Sequence, residues 1–176
     1  MKILLLGGNS VENKNWLYEL KENLKNIGEI TVHEYSHWNE NNKKSVDIDE
    51  EISRLQKFGG DLSDTLVLAK SAGVVLTLKG VNKKRLSPKA CVFLGTPVSW
   101  AKENNYDIET LLEGHQTPTL YIQNKNDPAI SADNLKKILD KNKSKNKKFE
   151  MISGDTHYYG DYKKLHELIL AFINNL

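Results

Sequence analysis

A chain of 176 residues, 39% of them hydrophobic, is long enough to bury one apolar core without cross-links, and we expect a single domain over residues 1–176. Its net charge of +2 and its lone Cys91 argue against a strongly basic nucleic-acid binder and against a disulfide-stapled secreted fold. The apolar run after Lys2 is too short for a signal sequence or a membrane span, so we expect a cytoplasmic protein.

Six apolar segments with β-strand character alternate with helical segments along the chain. Several of them are continuously apolar, which is typical of parallel strands that helices cover on both faces. The first segment begins directly at the N-terminus. The predicted strands span residues 3–6, 30–35, 65–68, 90–94, 119–122 and 149–152.

Between these strands, apolar residues recur at helical spacing, and Gly28 is predicted to end the first helix. The alternation predicts a doubly wound, mostly parallel α/β sheet, whose ligands bind at the carboxyl ends of the strands. The positions that define these helices are Trp16, Leu17, Leu20, Leu24 and Ile27; Ile48, Ile52, Leu55 and Phe58; Leu135, Ile138 and Leu139; and Leu165, Leu168, Ile169 and Phe172.

Two features have simple structural interpretations. The segment KNKSKNKK (141–148) holds five lysines and no aromatic residue, so the rest of the chain is slightly acidic. We interpret it as a solvated loop between a helix and a strand rather than a nucleic-acid site. Cys91 lies in the apolar run ACVFLG and is predicted to be a small buried hydrophobe.

A serine, an aspartate and a histidine follow three of the predicted strands in that order. Ser71 lies in AKSAG (69–73), Asp127 in QNKNDP (123–128) and His157 in SGDTHYYG (153–160). The carboxyl ends of parallel strands meet at one edge of a sheet, so these side chains are expected at the same edge. Such a set can activate a serine hydroxyl as a nucleophile, with histidine as the base and aspartate holding the imidazole.

The turn around Ser71 has the composition that a nucleophile on a sharp strand-to-helix turn requires. Helix and strand come close there, so the residues two before and two after must be small, and Ala69 and Gly73 meet this condition. The backbone of the nucleophile is expected to be strained, with positive φ. The apolar residues after Gly73 predict a helix buried against the sheet.

Each of these residues also has a purely structural interpretation. Ser71 is compatible with a helix cap, Asp127 before Pro128 with a turn, and His157 with a surface loop. Asp155 is a rival acid, but near neighbours of a histidine on an extended loop point away from it. The other histidines are expected to be structural or exposed: His33, His37, His115 and His166.

The segments LVLAKSAG, LYIQNKNDP and SGDTHYYG resemble the nucleophile elbow, acid strand and histidine loop of the α/β-hydrolase superfamily. With GGNSVENKNWLYEL at the first strand, the chain most resembles small lid-free serine hydrolases of the retinoblastoma-binding-protein-9 (YdeN-like) kind. The resemblance implies a six-stranded sheet of order 2-1-3-4-5-6, an α/β-hydrolase core without lid, and a Ser71–His157–Asp127 triad.

The same resemblance implies further site residues. The backbone N–H groups of Asn9 and Ala72 would form the oxyanion hole, and Gly8 and Ser10 would contact the substrate. Trp100, with Tyr106, could line an open acyl pocket, although an aromatic residue in a loop more often serves packing. Only residues 95–107 precede the next predicted helix at the place where relatives insert a lid. This leaves room for a loop and predicts short or exposed acyl groups.

The chain departs from the family pattern at three places. Ala69 replaces the usual glycine, and Lys70 replaces the frequent histidine before the serine. Gly7 and Gly8 stand where the first strand of relatives often ends in His-Gly. Because Lys70 puts a cation beside the nucleophile, it could change the choice of substrate.

These observations predict a serine hydrolase that forms an acyl-enzyme from a small-molecule ester, with thioester and amide left open. We expect no cofactor and no metal, since no Cys, His or carboxylate cluster has ligand spacing. Neither nucleic acid nor membrane is an expected partner, and a protein partner is left open. The alternatives are a weak or inactive binding protein with this fold and a nucleotide-binding domain, although G-x-G-x-x-G and P-loop motifs are absent.

Overall fold

The computed structural model describes residues 1–39, 45–142 and 144–176, and only the backbone of Phe58. Its centre is a six-stranded sheet of order β2-β1-β3-β4-β5-β6 in which every neighbouring pair is parallel. This confirms the predicted fold class and strand order. The strands are β1 (Lys2–Leu6), β2 (Glu29–His33), β3 (Thr65–Lys70), β4 (Ala90–Leu94), β5 (Thr119–Asn124) and β6 (Lys147–Ile152).

Helices cover both faces of this sheet, because each strand alternates apolar side chains between the two faces. Two of the helices, α1 and α7, cover one face, and the others cover the opposite face. The helices are α1 (Asn13–Leu24), α2 (Ile48–Gly59), α3 (Ala72–Asn82), α4 (Val98–Glu103), α5 (Ile108–Leu112), α6 (Ala132–Lys141) and α7 (Tyr162–Ile173), and Ser36–Trp38 forms a 3₁₀ turn.

The central strand β3 and the helix that follows it form the most deeply buried part of the fold. Leu66 and Leu68 face α1 and α7, whereas Val67 and Ala69 face the other helices. In α3 every residue from Ala72 to Leu78 is buried, as the apolar sequence predicted. Cys91 on the neighbouring strand is fully buried, and burial raises the pKa of its thiol.

Several element ends differ from those expected. β2 stops at His33, because the buried Tyr35 leaves the ladder and its hydroxyl donates to the carbonyl of Gly7 at 2.9 Å. β3 continues to Lys70, which pairs with Leu94 of β4. Ladder pairing therefore carries β3 up to the residue before Ser71.

The connection between β4 and β5 is not the loop that we expected over residues 95–107. Helix α4 occupies part of it, since the buried Ala101 and the partly buried Val98 pack against the core on that face. Among the described residues, α4 and α5 together form a short crossover between the two strands.

The lysine-rich segment is partly ordered into secondary structure. Lys141 ends α6 and pairs with Glu109 at 2.9 Å, while Lys147 and Lys148 belong to β6. The expected loop is thus shorter than predicted, and Lys143 lies outside the described residues. No helix of the described chain is both long and apolar enough to cross a membrane.

Candidate active site

Ser71 occupies a sharp turn between β3 and α3. Its backbone has φ 53° and ψ −121°, a conformation that costs a non-glycine residue about 1–3 kcal/mol and persists only when its surroundings impose it. Its N–H donates to the carbonyl of Leu94 at 3.1 Å. Its hydroxyl neither caps α3 nor bonds to any described residue, so the capping interpretation does not hold.

Gly73 makes this turn possible. A Cβ atom at this position would lie 2.9 Å from the carbonyl oxygen of Gly7 and 2.9 Å from the Cβ of Leu6. The N–H of Gly73 donates to the same Gly7 carbonyl at 3.0 Å. The first turn of α3 therefore contacts the end of β1, and only a glycine fits between them.

Asp127 and His157 form a hydrogen-bonded pair at the same edge of the sheet. The Nδ1 atom of His157 lies 2.9 Å from both carboxylate oxygens of Asp127. The Asp127 side chain is fully buried, whereas that of His157 is 28% exposed. Because a carboxylate accepts, Nδ1 carries the proton and Nε2 is left as a base. The rival acid Asp155 is exposed.

Two further groups hold the Asp127 carboxylate. The hydroxyl of the buried Tyr159 donates to Oδ2 at 2.7 Å, and the N–H of Ala129 donates to Oδ1 at 2.8 Å. Burial raises the pKa of Tyr159, so the phenol keeps the proton that it donates. The same hydroxyl accepts from the N–H of Asn124 at 3.0 Å. No sequence signal distinguished Tyr159 from an ordinary core tyrosine.

Gly95 brings the histidine loop against the end of β4. It has φ +58°, and a Cβ atom there would lie 2.9 Å from Cε1 of His157. Ser71 bonds to the adjacent Leu94, so Ser71 and His157 contact neighbouring residues of one segment. Neither the Ser71 hydroxyl nor Nε2 of His157 has a hydrogen-bond partner in the described chain. In unliganded enzymes such contacts are often long and tighten on substrate binding.

Asn9 lies in the turn after β1, and hydrogen bonds to both of its oxygen atoms hold it in place. The Asn9 carbonyl accepts from Nε2 of His37 at 2.7 Å and from the indole N–H of Trp38 at 3.0 Å. Its side-chain oxygen accepts from the N–H of Val46 at 2.8 Å and from the Ser45 hydroxyl at 3.2 Å. His37, which we expected to be structural or exposed, and Trp38 thus set the orientation of this turn.

The backbone N–H groups of Asn9 and Ala72 are both available. Ala72 is the first residue of α3, where a helix leaves its N–H groups without intrahelical acceptors. Neither N–H bonds to another described residue. Ala72 directly follows Ser71, and the Gly73–Gly7 hydrogen bond joins the start of α3 to the end of the segment that leads to Asn9.

Lys70 is not a solvent-facing cation. It is 6% exposed, its ammonium donates to Oδ1 of Asn13 at 2.8 Å, and it lies 5.4 Å from the centre of the Trp16 ring. Burial lowers the pKa of Lys70 to about 8, and the attraction of Asp127 opposes that shift. The cation therefore lies inside the protein against α1.

The predicted substrate contacts have varied surroundings. Gly8 lies against the Asn13 side chain, and the exposed Ser10 donates its hydroxyl to Glu12 at 2.7 Å. Trp100 stacks on Tyr106 with 6.5 Å between ring centres and packs against the core. Within residues 1–39, 45–142 and 144–176, no three His, Cys, Asp or Glu side chains are grouped as metal ligands.

The fold is that of known hydrolases. The chain superimposes on a Pyrococcus furiosus esterase (TM-score 0.77, 14% identity, 99% of this chain and 82% of that chain). It also superimposes on a serine hydrolase involved in carbazole degradation (TM-score 0.76, 14% identity, 99% of this chain and 91% of that chain). A third match is an α/β hydrolase from the metagenome of Mar Chica lagoon sediments in Morocco (TM-score 0.72, 13% identity, 99% of this chain and 91% of that chain).

No protein-family model matches the sequence, and no curated protein is similar enough in sequence to be a relative. The structural matches extend over nearly the whole chain, so the chain has the α/β-hydrolase fold.

Proposed function

We propose that this protein is a serine hydrolase that cleaves small or exposed acyl esters, with Ser71 as nucleophile, His157 as base and Asp127 as its partner. One observation carries the proposal. Ser71 lies on a strained strand-to-helix turn, and its hydroxyl has no hydrogen-bond partner among the described residues. At the same edge of the sheet, the buried carboxylate of Asp127 holds the Nδ1 atom of His157. That structural matches include a protein called an esterase and one called a serine hydrolase supports it.

In the proposed reaction, Nε2 of His157 takes the hydroxyl proton while Oγ of Ser71 attacks the ester carbonyl carbon. The negative charge that develops on the carbonyl oxygen is stabilised by the N–H groups of Asn9 and Ala72, each worth about 10²–10³ in rate. The tetrahedral intermediate expels the alcohol, which receives the proton from His157. Water, deprotonated by the same histidine, then hydrolyses the acyl-enzyme.

The short crossover through α4 and α5 favours acyl groups that are short or exposed, because it builds no large cover among the described residues. Gly8, Ser10 and Trp100 are the proposed substrate contacts. Ester, thioester and amide cleavage share this chemistry, and the ester is our first choice. Cytoplasmic location, a small-molecule substrate and the narrower likeness to retinoblastoma-binding-protein-9 belong to the same proposal.

A second candidate function is a weak or inactive binding protein with this fold. One observation favours it, namely that Ser71 and His157 make no hydrogen bond with each other.

A fluorophosphonate probe distinguishes the two functions. Only an activated serine attacks its phosphorus and displaces fluoride, so we expect one adduct, mapped by mass spectrometry to Ser71. Ser71→Ala should prevent labelling, whereas Ser131→Ala, at the start of another helix, should label as the wild type does. A folded wild type that stays unlabelled would contradict the hydrolase and favour the binding protein.

A further inference from the structure

Lys70 is a buried cation that contacts no carboxylate in the described part of the chain. Burying an ammonium is unfavourable unless its charge and donors are compensated. Among the described residues, its direct partners are the side-chain oxygen of Asn13 and the face of Trp16, both on α1. The fold therefore holds a lysine beside Ser71 although burying its charge is unfavourable, which suggests that the lysine has a role there.

Asn13 links this lysine to the turn at residues 8–10. An ammonium group only donates, so Lys70 forces Oδ1 of Asn13 to face it and turns Nδ2 the other way. Nδ2 then donates to the carbonyl of Ser10 at 2.8 Å, and the backbone N–H of Asn13 donates to the same carbonyl at 3.0 Å. The amide also lies against Gly8, where a Cβ atom would be 2.9 Å from Nδ2.

The turn is thus held from two sides. His37 and Trp38 bind the carbonyl of Asn9, while Asn13 binds the carbonyl of the next residue, Ser10. The N–H of Asn9 belongs to the planar peptide unit that joins Gly8 to Asn9. The Asn13 amide lies against Gly8 at one end of this unit, and His37 and Trp38 bind the carbonyl of Asn9 beyond its other end. These contacts restrict the rotation of the unit that carries the free N–H.

We propose that Lys70 acts through Asn13 as a positioning residue that orients the Asn9 N–H of the oxyanion hole. The catalytic consequence rests on the proposed hydrolase function, whereas the structural part does not. In this role Lys70 touches neither substrate nor reacting atoms.

The protonation state of Lys70 should matter to this arrangement. A neutral amine accepts as well as donates, so it no longer dictates which way the Asn13 amide faces. Burial lowers the pKa of Lys70 to about 8, and Asp127 at the end of β5 is the charged group that acts against this shift. The lysine therefore enforces the orientation of Asn13 below about pH 8, whereas above it only the Ser10 carbonyl favours this orientation.

The first test compares Lys70→Met, Asn13→Leu and the double variant on an activated ester. We expect each single variant to lower kcat about 10-fold with KM within about twofold, because a misplaced oxyanion donor weakens transition-state binding alone. The double variant should lose no more than either single one, since both break the same link. Lys2→Met, an exposed lysine on β1, is the matched control and should keep its kcat.

A merely structural lysine would give a different result. Lys70→Met would then lower the urea midpoint while the folded fraction kept the kcat of the wild type, and the losses in the double variant would multiply. In the wild type, kcat should also fall as the pH rises through about 8, and Lys70→Met should lack this alkaline limb. An identical limb in both proteins would overturn the role of the charge.

A second measurement does not depend on activity. The ¹⁵N resonances of the Asn13 side-chain amide and the Asn9 backbone should move in Lys70→Met and stay in place in Lys2→Met. Unchanged resonances would overturn the proposed link whatever the activity. If the resonances move in Lys70→Met but the wild type shows neither esterase activity nor fluorophosphonate labelling, the hydrolase function is contradicted and the structural link is kept.

Discussion

Among the described residues, two serines stand immediately before helices, and they differ in almost every structural respect. Ser131 precedes α6 with φ −64° and ψ 151°, and its side chain accepts from the N–H of Asn134. Ser71 precedes α3 with φ 53° and ψ −121° and caps nothing. The residue type and the place before a helix are the same, so neither explains the difference.

The difference comes from what precedes each serine. Before Ser131 the chain leaves β5 at Asn124 and passes through a connecting segment, which gives the backbone room for ordinary cap geometry. Before Ser71, β3 continues to Lys70, and α3 begins at Ala72. Strand and helix therefore meet at one residue, and Gly73 already contacts β1. At Ser71 the fold leaves no room for a relaxed turn, so this serine adopts a strained backbone conformation.

The largest expected effect tests this contrast directly. Ser71→Ala should lower ester hydrolysis by about 10⁴-fold or more, because the nucleophile is lost and only binding and oxyanion stabilisation remain. Ser131→Ala should leave hydrolysis unchanged and lower the free energy of unfolding by about 1 kcal/mol, the usual value of a helix cap. Steady-state kinetics and urea unfolding measure the two quantities. Equal activity of Ser71→Ala and the wild type would sink the assignment.

The next effect separates backbone strain from damage to the site. Gly95 and Gly114 both have positive φ, but a Cβ atom at Gly95 would strike His157 and Tyr159, whereas one at Gly114 meets nothing within 4 Å. Both alanine variants should lose about 1 kcal/mol of stability from the left-handed backbone. Only Gly95→Ala should also lose activity, by about 10²-fold, since it displaces the histidine.

These two variants need the same pair of measurements, the unfolding free energy and kcat/KM. A similar loss of activity in Gly114→Ala would mean that general destabilisation, and not the position of His157, accounts for the effect.

The smallest effect concerns how firmly the acid is held. Tyr159→Phe removes one donor to Asp127 but leaves those of His157 and Ala129. We expect activity to fall about 10-fold, the effect typical of losing a group that orients a functional side chain. It also leaves the N–H of Asn124 without its acceptor, which should cost about 1–3 kcal/mol of stability.

The matched control is Tyr121→Phe, because that buried tyrosine lies on β5 and its hydroxyl bonds to no described residue. We expect it to keep wild-type turnover of the ester. If the two tyrosine variants had the same turnover, the hydroxyl of Tyr159 would have no part in holding the acid.

The sequence by itself determined the sheet and the edge at which to look for the site. Continuous apolar runs and helical spacing are local patterns, and they predicted six strands in a mostly parallel sheet. The observed order was implied by the resemblance to α/β-hydrolases. The order Ser71, Asp127, His157 after three strands predicted which residues share that edge. The preference for Asp127 over Asp155 rested on the strand-end position of Asp127 and on the expectation that near neighbours of a histidine on an extended loop point away from it.

Tertiary structure alone decided which groups support those residues. Tyr159 on Asp127, His37 on Asn9 and Lys70 on Asn13 are contacts between residues far apart in the chain. No local pattern encodes them, because such a hydrogen bond depends on how helices and loops pack around the whole sheet. The same is true of the strained turn, where the meeting of β3, α3 and β1 at Gly73 imposes a backbone that Ser71 would not adopt by itself.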